Sequence, residues 1–483
     1  MGTKIMKFYI TLVFLILGCV YPALSKPPNI LLILVDDMGY GDPGCYNAES
    51  KIPTPNVDRL ADDGLLFTDA HASGPLCHVS RYGLMTGTYP WRTEFNWRRQ
   101  PIIEKGQETI ASFLKSVGYH TAMVGKWHLG FNEKLIESYT GELRGGPVDC
   151  GFESFFGIRA STDIPPYFYI RNNRAVMPPS ETIAANNTQG WTNIQGAFWR
   201  QGKISPDLKL KEVLPRFTKE AISVINKHKE KKEEKPLFLY LAYPAPHTPW
   251  LPSKEFAGKS KAGLYGDFMM MVDAMIGNVL KSLDTNGMRE DTLVIFSSDN
   301  GPVWYDQDVE KFGHDSSGGL RGMKADAWEA GHRMPFILRW PGKVGAGSRT
   351  DHTICFTDLF ATFATICGKS LPDNAAPDSF DFTPAMLGIG AAGDKQRPPI
   401  VMAAGGGTML IRDGNWKLIN ALGSGGFSKP RKRKPQPGEP DGQLYNLSSD
   451  MGEQKNLYLK HPDIVERLEK KLHAIRKSER TRQ

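Results

Sequence analysis

Two pairs of oxygen-bearing side chains come directly after apolar runs of this sequence. Asp36 and Asp37 follow the run NILLILV, and Asp299 and Asn300 follow the run TLVIFSS. Taken singly, each pair is typical of residues that cap a turn, but adjacent carboxylates repel each other unless a cation lies between them. Carboxylate and amide oxygens without histidine or cysteine suit Ca²⁺ or Mg²⁺ rather than zinc. Two such pairs at comparable positions therefore favour a metal site.

Further side chains could hold an anion and move a proton. Lys126 and His128 are two residues apart in KWHLG, so on an extended segment they point to the same side. A cation beside an imidazole suits a site that binds an anionic group and transfers a proton. His247 lies between two prolines in APHTPW, and Lys324 lies in GLRGMKADAWEAG. A structural hydrogen bond is the alternative role for His247, and ordinary surface charge is the alternative for Lys324.

Cys77, in the segment CHVSRYGLMTG, is the candidate for unusual cysteine chemistry. After residue 25 the chain has an odd number of cysteines, so two disulfides formed in an oxidising compartment would leave one thiol over. We assign that thiol to Cys77, and the spacing does not determine how the others pair. No CxxC pattern typical of a zinc site is present.

Short apolar runs precede most of these residues and predict the strands that position them. The runs NILLILV, TAMVG, LFLYLAY and TLVIFSS read as strands buried on both faces of a parallel sheet. Helical patterns such as VDRLADDG and LPRFTKEAISVINKH alternate with them. We therefore predict an α/β fold, in which chemistry gathers in one pocket beyond the carboxyl ends of the strands.

Two later regions differ from this alternation. From Gly151 to about Ser205 the chain is rich in aromatic residues, proline and asparagine, which predicts loops lining the pocket. Near Asp394 the composition shifts to glycine, proline and basic residues, and TMLIRDG, NWKLINA and GQLYNLS then predict antiparallel strands before a terminal amphipathic helix. We predict a catalytic domain over residues 26–398 and a smaller sheet-and-helix subdomain over residues 399–483.

Residues 1–25 have the layout of a secretory signal. Lys4 and Lys7 precede the apolar run FYITLVFLILGCV, and small residues at Ala23 and Ser25 suit cleavage. The alternative is a lipoprotein signal in which Cys19 becomes a lipidated N-terminus. The run is short for a transmembrane span, and no later segment is apolar for long enough. We predict a secreted, periplasmic or lysosomal protein, with lipid anchoring as the alternative.

Composition excludes several other classes. With 483 residues, 40% of them hydrophobic, the chain can bury a large core and is not disordered. Much of the net charge of +7 lies in HKEKKEEK and KPRKRKP, which favour solvated loops, with a polyanion-binding patch as the alternative. No zinc-finger spacing or RNA-binding strand motif occurs, so we predict no nucleic-acid partner.

Taken in order along the chain, these motifs resemble those of the type I sulfatases, of the arylsulfatase A and N-acetylgalactosamine-6-sulfatase kind, in the alkaline phosphatase superfamily. The matching segments are Asp36-Asp37, CHVSR with Thr86-Gly87, KWHLG, HTP after Pro246, SDNG, and GMK followed by WEAGHR. The likeness runs from about Asn29 to Gly388, and the C-terminal region looks like that family's too. It implies a mixed, largely parallel sheet sandwiched by helices, with a small antiparallel C-terminal sheet.

The resemblance implies that Cys77 is oxidised to formylglycine (3-oxoalanine) during export, by a formylglycine-generating enzyme. One hydroxyl of the hydrated aldehyde would attack the sulfur of a sulfate ester, and the second would later expel sulfate. The substrate would be a sulfated carbohydrate or another sulfated small molecule such as an aryl sulfate.

The resemblance also assigns roles to the other motif residues. The implied ligands of a Ca²⁺ ion, or of Mg²⁺, are Asp36, Asp37, Cys77, Asp299 and Asn300. The implied catalytic residues are Cys77, Arg81, Lys126, His128, His247 and Lys324. In this assignment Arg81 and Lys126 stabilise the diol and His128 takes a proton from its second hydroxyl. His247 and Lys324 bind sulfate, with His247 as the preferred acid toward the leaving alcohol. Ser161 in GIRASTD is a further sulfate-site candidate.

One position departs from the family pattern. The second residue after the cysteine is usually proline or alanine there and is Val79 here. A β-branched side chain could slow the conversion of Cys77, but we predict that conversion occurs. A phosphoester hydrolase of the same superfamily and a non-catalytic protein that binds sulfated glycans are the competing hypotheses. The presence of His128, His247 and Lys324 favours an active enzyme.

Overall fold

The computed structural model describes residues 26–94, 100–132, 139–231, 234–389 and 397–482. The predicted leader with Cys19, and Asp394 at the predicted change of composition, lie outside the described residues. Within the described ranges, no helix combines the length and the apolar character needed to cross a membrane.

Most of the chain builds one 11-stranded mixed sheet with helices on both faces. The strands up to residue 355 are β1 (Asn29–Asp36), β2 (Leu65–His71), β3 (His120–Lys126), β4 (Ser154–Ile158), β5 (Ile170–Arg171), β6 (Arg174–Ala175), β7 (Glu181–Ile183), β8 (Gly202–Ile204), β9 (Leu237–Pro246), β10 (Thr292–Ser298), β11 (Arg333–Arg339), β12 (Ser348–Thr350) and β13 (Ile354–Cys355). The helices of this part are α1 (Pro55–Asp62), α2 (Cys77–Thr86), α3 (Ile110–Ser116), α4 (Val213–Glu230), α5 (Gly263–Thr285), α6 (Asp306–Phe312), α7 (Leu359–Ile366) and α8 (Thr383–Leu387). Strands β7 and β8 pair separately from the large sheet.

The middle of the large sheet is parallel. Strands β10, β1, β9, β3 and β4 lie side by side in that order and run in the same direction. Strand β11 pairs antiparallel with both β10 and β2. The predicted α/β fold with a mixed, largely parallel sheet is therefore confirmed.

Alternate side chains of β1 enter two different apolar cores, because successive residues of a strand face opposite sides of the sheet. Leu32 and Leu34 pack in one core with α3 and α7, whereas Ile33 and Val35 pack in the other with α4 and α5. Burial on both faces explains why this strand is an unbroken apolar run rather than an alternating one.

The prediction of loops throughout residues 151–205 was wrong. This stretch contributes β4, β5 and β6 to the large sheet, and β7 and β8 to the separate pair. In β4, Phe155 enters one apolar core and Phe156 enters the other. Aromatic residues favour strands of this kind, but the surrounding prolines and asparagines obscured the pattern. The strand β2 also went unpredicted.

The C-terminal residues form a 4-stranded antiparallel sheet, as expected. Its strands are β14 (Ile400–Ala403), β15 (Met409–Asp413), β16 (Trp416–Ile419) and β17 (Gln443–Asn446), and α9 (Pro462–Lys477) follows them. Leu468 and Leu472 of α9 pack in the same apolar core as Leu410 of β15. The domain boundary after residue 398 stays a prediction.

Buried ion pairs connect the small sheet to the large one. Lys417 Nζ, on β16, lies 3.0 Å from Glu329 Oε1 and 2.9 Å from Glu453 Oε1. Arg412, on β15, donates to Asp69 Oδ2 at 2.6 Å. The side chains of Lys417, Glu329 and Glu453 have no exposed surface, so each charge depends on its partner for stabilisation.

We expect Lys417→Met to destabilise the protein by roughly 3–5 kcal/mol, because two buried carboxylates would lose their shared cation while the apolar stem is retained. Thermal and denaturant unfolding would measure the loss. The matched control is Lys470→Met, whose pair with Glu466 is exposed to solvent and therefore contributes little to stability. Equal stability of the two variants would show that the buried pairs contribute no more than surface charge.

Candidate active site

The ends of four parallel strands gather the predicted residues. Asp36 ends β1, Lys126 ends β3, His247 follows β9 and Asp299 follows β10. Since these strands are neighbours that run in the same direction, their carboxyl ends meet at one edge of the sheet. The structure therefore brings together residues that are far apart in the chain.

Cys77 is the first residue of α2 and reaches the same edge. Its Sγ lies 3.4 Å from Asp36 Oδ1 and 3.9 Å from Asp37 Oδ1. Burial, and then the charge of Asp36, raises the pKa of the Cys77 thiol well above its ordinary value. The unmodified thiol is thus neutral and a poor nucleophile, since only a thiolate attacks effectively.

Several possible metal-ligand atoms lie close together at this edge. One ligand atom each from Asp36, Asp37, Cys77 and His247 lies within 4.8 Å of all the others. Asn300 Nδ2 donates to Asp37 Oδ1 at 2.6 Å, whereas Asn300 Oδ1 is buried and has no hydrogen-bond partner among the described residues. A buried carbonyl oxygen without a partner, beside several carboxylates, is what an oxygen-coordinated cation requires.

Three cationic side chains neutralise the carboxylates in the structure. Arg81 Nε donates to Asp299 Oδ2 at 2.9 Å, and its Nη1 donates to the Lys126 carbonyl at 3.0 Å. Lys126 Nζ bonds to Asp36. Lys324 Nζ lies 2.5 Å from Asp37 Oδ1 and 2.8 Å from Asp37 Oδ2. The arrangement is an alternating cluster of buried charges.

The two acidic strand ends differ in their tendency to bind a proton. Burial raises the pKa of Asp36, but the charges of Lys126, His247 and Arg81 outweigh burial and hold it well below its ordinary value. Burial, and then the charge of Asp36, raises the pKa of Asp299 to about 6. A cation bound between them would favour the charged form of both carboxylates.

The two histidines of the site have different surroundings. Burial, followed by the charge of Lys126, lowers the pKa of His128 well below its ordinary value, so its imidazole is neutral and able to accept a proton. His247 Nδ1 lies 2.7 Å from the Thr248 carbonyl oxygen, which can only accept, so Nδ1 carries a proton. His247 Nε2 then faces Asp37 Oδ2 at 3.5 Å.

Sequence reasoning missed Asp163 and Arg200. Asp163 Oδ1 lies 3.8 Å from His247 Nδ1, and Asp163 Oδ2 pairs with Arg200. The only sequence signal was that Asp163 shares the segment GIRASTD with Ser161. Ser161 is buried, and its Oγ has no hydrogen-bond partner among the described residues. Its segment adjoins the site because the Arg159 carbonyl accepts from the His128 N–H at 2.9 Å.

The remaining cysteines lie apart from this site and form no disulfides. All five described cysteines are free thiols, so the pairing considered from the sequence does not occur in the structure. A cavity of about 1450 Å³ lies at the opposite edge of the sheet, beside Asn29, Pro236 and Asp291. We place the chemistry at the carboxyl ends of the strands, where such sheets carry their active sites.

Comparison with known proteins identifies the family to which this chain is similar. The model of the family described as Sulfatase matches residues 28–369. The chain is 34% identical to N-acetylgalactosamine-6-O-sulfatase of Bacteroides thetaiotaomicron over 488 residues, covering 94% of each protein. It is 35% identical to human arylsulfatase A over 373 residues, covering 76% of this chain and 69% of that protein.

A solved structure shares this fold. It comes from a study of the metabolism of multiple glycosaminoglycans by Bacteroides thetaiotaomicron, and it superposes on this chain with a TM-score of 0.82 at 32% sequence identity. The match covers 94% of this chain and 100% of that chain, so it includes the small C-terminal sheet.

Proposed function

This chain belongs to the sulfatase family of sulfuric ester hydrolases, and we propose that it cleaves the sulfate esters of sulfated carbohydrates with formylglycine at position 77 and a bound Ca²⁺ ion. The observation that carries the proposal is the position of Cys77 Sγ, 3.4 Å from Asp36 and 3.9 Å from Asp37. A nucleophile at position 77 would therefore lie directly beside the acidic residues.

The proposed metal ligands are the oxygen atoms of Asp36, Asp37, Asp299 and Asn300, together with residue 77. Asn300 Oδ1, which has no hydrogen-bond partner in the described part of the chain, supports this assignment. Carboxylate-rich oxygen sets suit Ca²⁺, with Mg²⁺ as the alternative. A bound ion would stabilise negative charge on a sulfate oxygen and on the nucleophile.

Burial raises the pKa of the Cys77 thiol, and because a neutral thiol attacks poorly, this direction supports conversion of position 77. As formylglycine, it would supply a hydrated aldehyde whose two hydroxyls serve in nucleophilic attack and in sulfate release. The N-terminal amides of α2 would add partial positive charge beneath the bound anion. Because Cys77 is buried in the folded chain, we propose that the formylglycine-generating enzyme acts during export, before α2 has packed.

The surrounding side chains would position the nucleophile, transfer protons and bind sulfate. Arg81 and Lys126 hold the position of the nucleophile, and neutral His128 accepts a proton during sulfate release. Lys324 would neutralise the sulfate. His247 would donate a proton from Nε2 to the leaving oxygen, since its Nδ1 is already committed to the Thr248 carbonyl.

We extend the proposal to substrate, location and domains. The names of the relatives, an N-acetylgalactosamine-6-O-sulfatase and a structure from glycosaminoglycan metabolism, support a sulfated glycan as substrate. We propose export through a leader over residues 1–25. We also propose that the catalytic domain ends at residue 398.

Turnover of nitrophenyl sulfate and nitrophenyl phosphate, measured side by side, tests the reaction class. We expect sulfate release to dominate, because the chain belongs to the sulfatase family and residue 77, the proposed nucleophile, lies beside Asp36 and Asp37. Mass spectrometry of the peptide that contains residue 77 should show formylglycine. Dominant phosphate release would favour a phosphoester hydrolase, and an intact thiol with no turnover would favour a glycan-binding protein.

A further inference from the structure

The C-terminal region carries an exposed run of positive charge, the basic segment (residues 429–434). Lys429, Arg431, Lys432 and Lys434 are exposed and form no ion pair with any described residue. Only Arg433 is paired, with Glu439. Unneutralised charges this close together repel one another, so the segment favours an anionic partner.

The backbone of the basic segment is fixed rather than free. The N–H of Ser424 donates to the Pro430 carbonyl at 3.0 Å, and the N–H of Gly425 donates to the Arg431 carbonyl at 2.9 Å. The N–H of Arg433 donates to the Leu422 carbonyl at 3.2 Å. These bonds, which include the isolated antiparallel bridge between Leu422 and Arg433, hold the backbone of the segment against residues 422–425.

Residues 422–426 pack against the segment that follows Lys324. The N–H of Ala327 donates to the Ser424 carbonyl at 2.7 Å. Gly426 approaches so closely that a Cβ there would lie 2.2 Å from the carbonyl carbon of Ala325. Ala325 directly follows Lys324, whose ammonium binds Asp37. The basic segment is therefore anchored to the turn that carries an active-site lysine.

A second series of contacts connects the basic segment to the residue before position 77. Lys432 Nζ donates to the Gly406 carbonyl at 3.0 Å. The neighbouring Gly405 donates its N–H to the Ala325 carbonyl at 2.8 Å, and a Cβ at Gly405 would lie 3.3 Å from Leu76 Cδ1. Leu76 directly precedes position 77. Lys432 thus contacts Gly406, and the adjacent Gly405 contacts Ala325 and lies close to Leu76, the neighbours of Lys324 and of position 77.

We infer that the basic segment is a second anion subsite, which binds a sulfate or carboxylate group on a sugar unit other than the one that loses its sulfate. The inference rests on the proposed function and narrows the substrate to a polyanionic glycan longer than one sugar. The buried cations of the site lie against Asp36, Asp37 and Asp299, so an anionic group on a second sugar unit would need cations outside the site, and the basic segment supplies them. Arginine and lysine are the side chains suited to such groups.

The test compares two variants with the same change of charge. The first replaces Lys429, Arg431, Lys432 and Lys434 with glutamine. The matched control replaces with glutamine four exposed lysines at the opposite-edge cavity, namely Lys229, Lys235, Lys343 and Lys369. Both are assayed on a sulfated hexasaccharide and on nitrophenyl sulfate, at several salt concentrations.

We expect the first variant to raise KM for the hexasaccharide roughly tenfold and to weaken its salt dependence, because exposed charges act within a Debye length of about 8 Å at physiological salt. Its kcat on nitrophenyl sulfate should match the wild type, as should every parameter of the control. An unchanged hexasaccharide KM, or an equal effect of both variants, would overturn the inference.

Equilibrium binding separates this inference from the proposed function. If the wild type released no sulfate, the proposed function would fail, but weaker binding of the hexasaccharide to the first variant would still support the subsite. Tighter binding of duplex DNA or of anionic vesicles than of the hexasaccharide would overturn it in favour of another polyanion.

Discussion

Replacing Cys77 with serine is expected to lower kcat for nitrophenyl sulfate on the order of 10³-fold or more, since loss of a nucleophile usually costs at least that much. Serine offers one hydroxyl in place of two. It could attack the sulfate ester, but it would have no second hydroxyl to expel sulfate. We therefore expect at most one equivalent of nitrophenol per enzyme, measured as a burst without steady turnover.

The control is Cys367→Ser, which changes a half-buried thiol at the opposite edge of the sheet. Its steady-state rate should equal that of the wild type, and both variants should unfold at the wild-type temperature. Sustained turnover by Cys77→Ser would rule out a formylglycine nucleophile, because a single hydroxyl would then be sufficient.

The gathering of the predicted side chains at one edge of the sheet follows from one general property of parallel sheets. Each apolar run ends at a polar residue, and the carboxyl ends of neighbouring parallel strands must meet. This is why Asp36, Lys126 and Asp299 lie together although they are distant in the chain. The geometry follows from the strand order, which the sequence indicates only through the alternation of strands and helices.

Contacts made by irregular segments were much harder to predict. Asp163 and Arg200 pair beside His247, yet 37 residues separate them and neither lies in a repeating pattern. The tautomer of His247 depends on the Thr248 carbonyl, a backbone contact without a sequence signature. Likewise β4 was obscured because a strand of five residues with aromatic side chains resembles the loops around it.

Removal of divalent metal is expected to lower kcat by roughly 10²-fold or more, since charge stabilisation by a metal is worth several kcal/mol and about 1.36 kcal/mol equals a factor of ten. Chelation followed by addition of Ca²⁺ or Mg²⁺ would measure the loss and its reversal. Ca²⁺ should also raise the unfolding temperature, because a ligand that binds only the folded state stabilises it.

Asn300→Ala tests the proposed ligand directly, because it removes a buried carbonyl oxygen for which the described residues offer no hydrogen-bond partner. We expect it to raise the Ca²⁺ concentration needed for half-maximal activity and for half the thermal stabilisation. Asn286→Ala, at the end of α5, is the matched control and should change neither. Full activity after chelation, with no thermal effect of Ca²⁺, would contradict the metal site.

The charge balance of the site gives an independent reason to expect a metal. Lys126 and Lys324 bind Asp36 and Asp37 in the structure. A lysine engaged with a buried carboxylate has little attraction left for sulfate, because the two charges cancel at short range. A divalent cation among the carboxylates would take over that neutralisation and leave both ammonium groups available to the substrate. Chelation should therefore both raise KM for the sulfate ester and lower kcat. Loss of the nucleophile should lower kcat only.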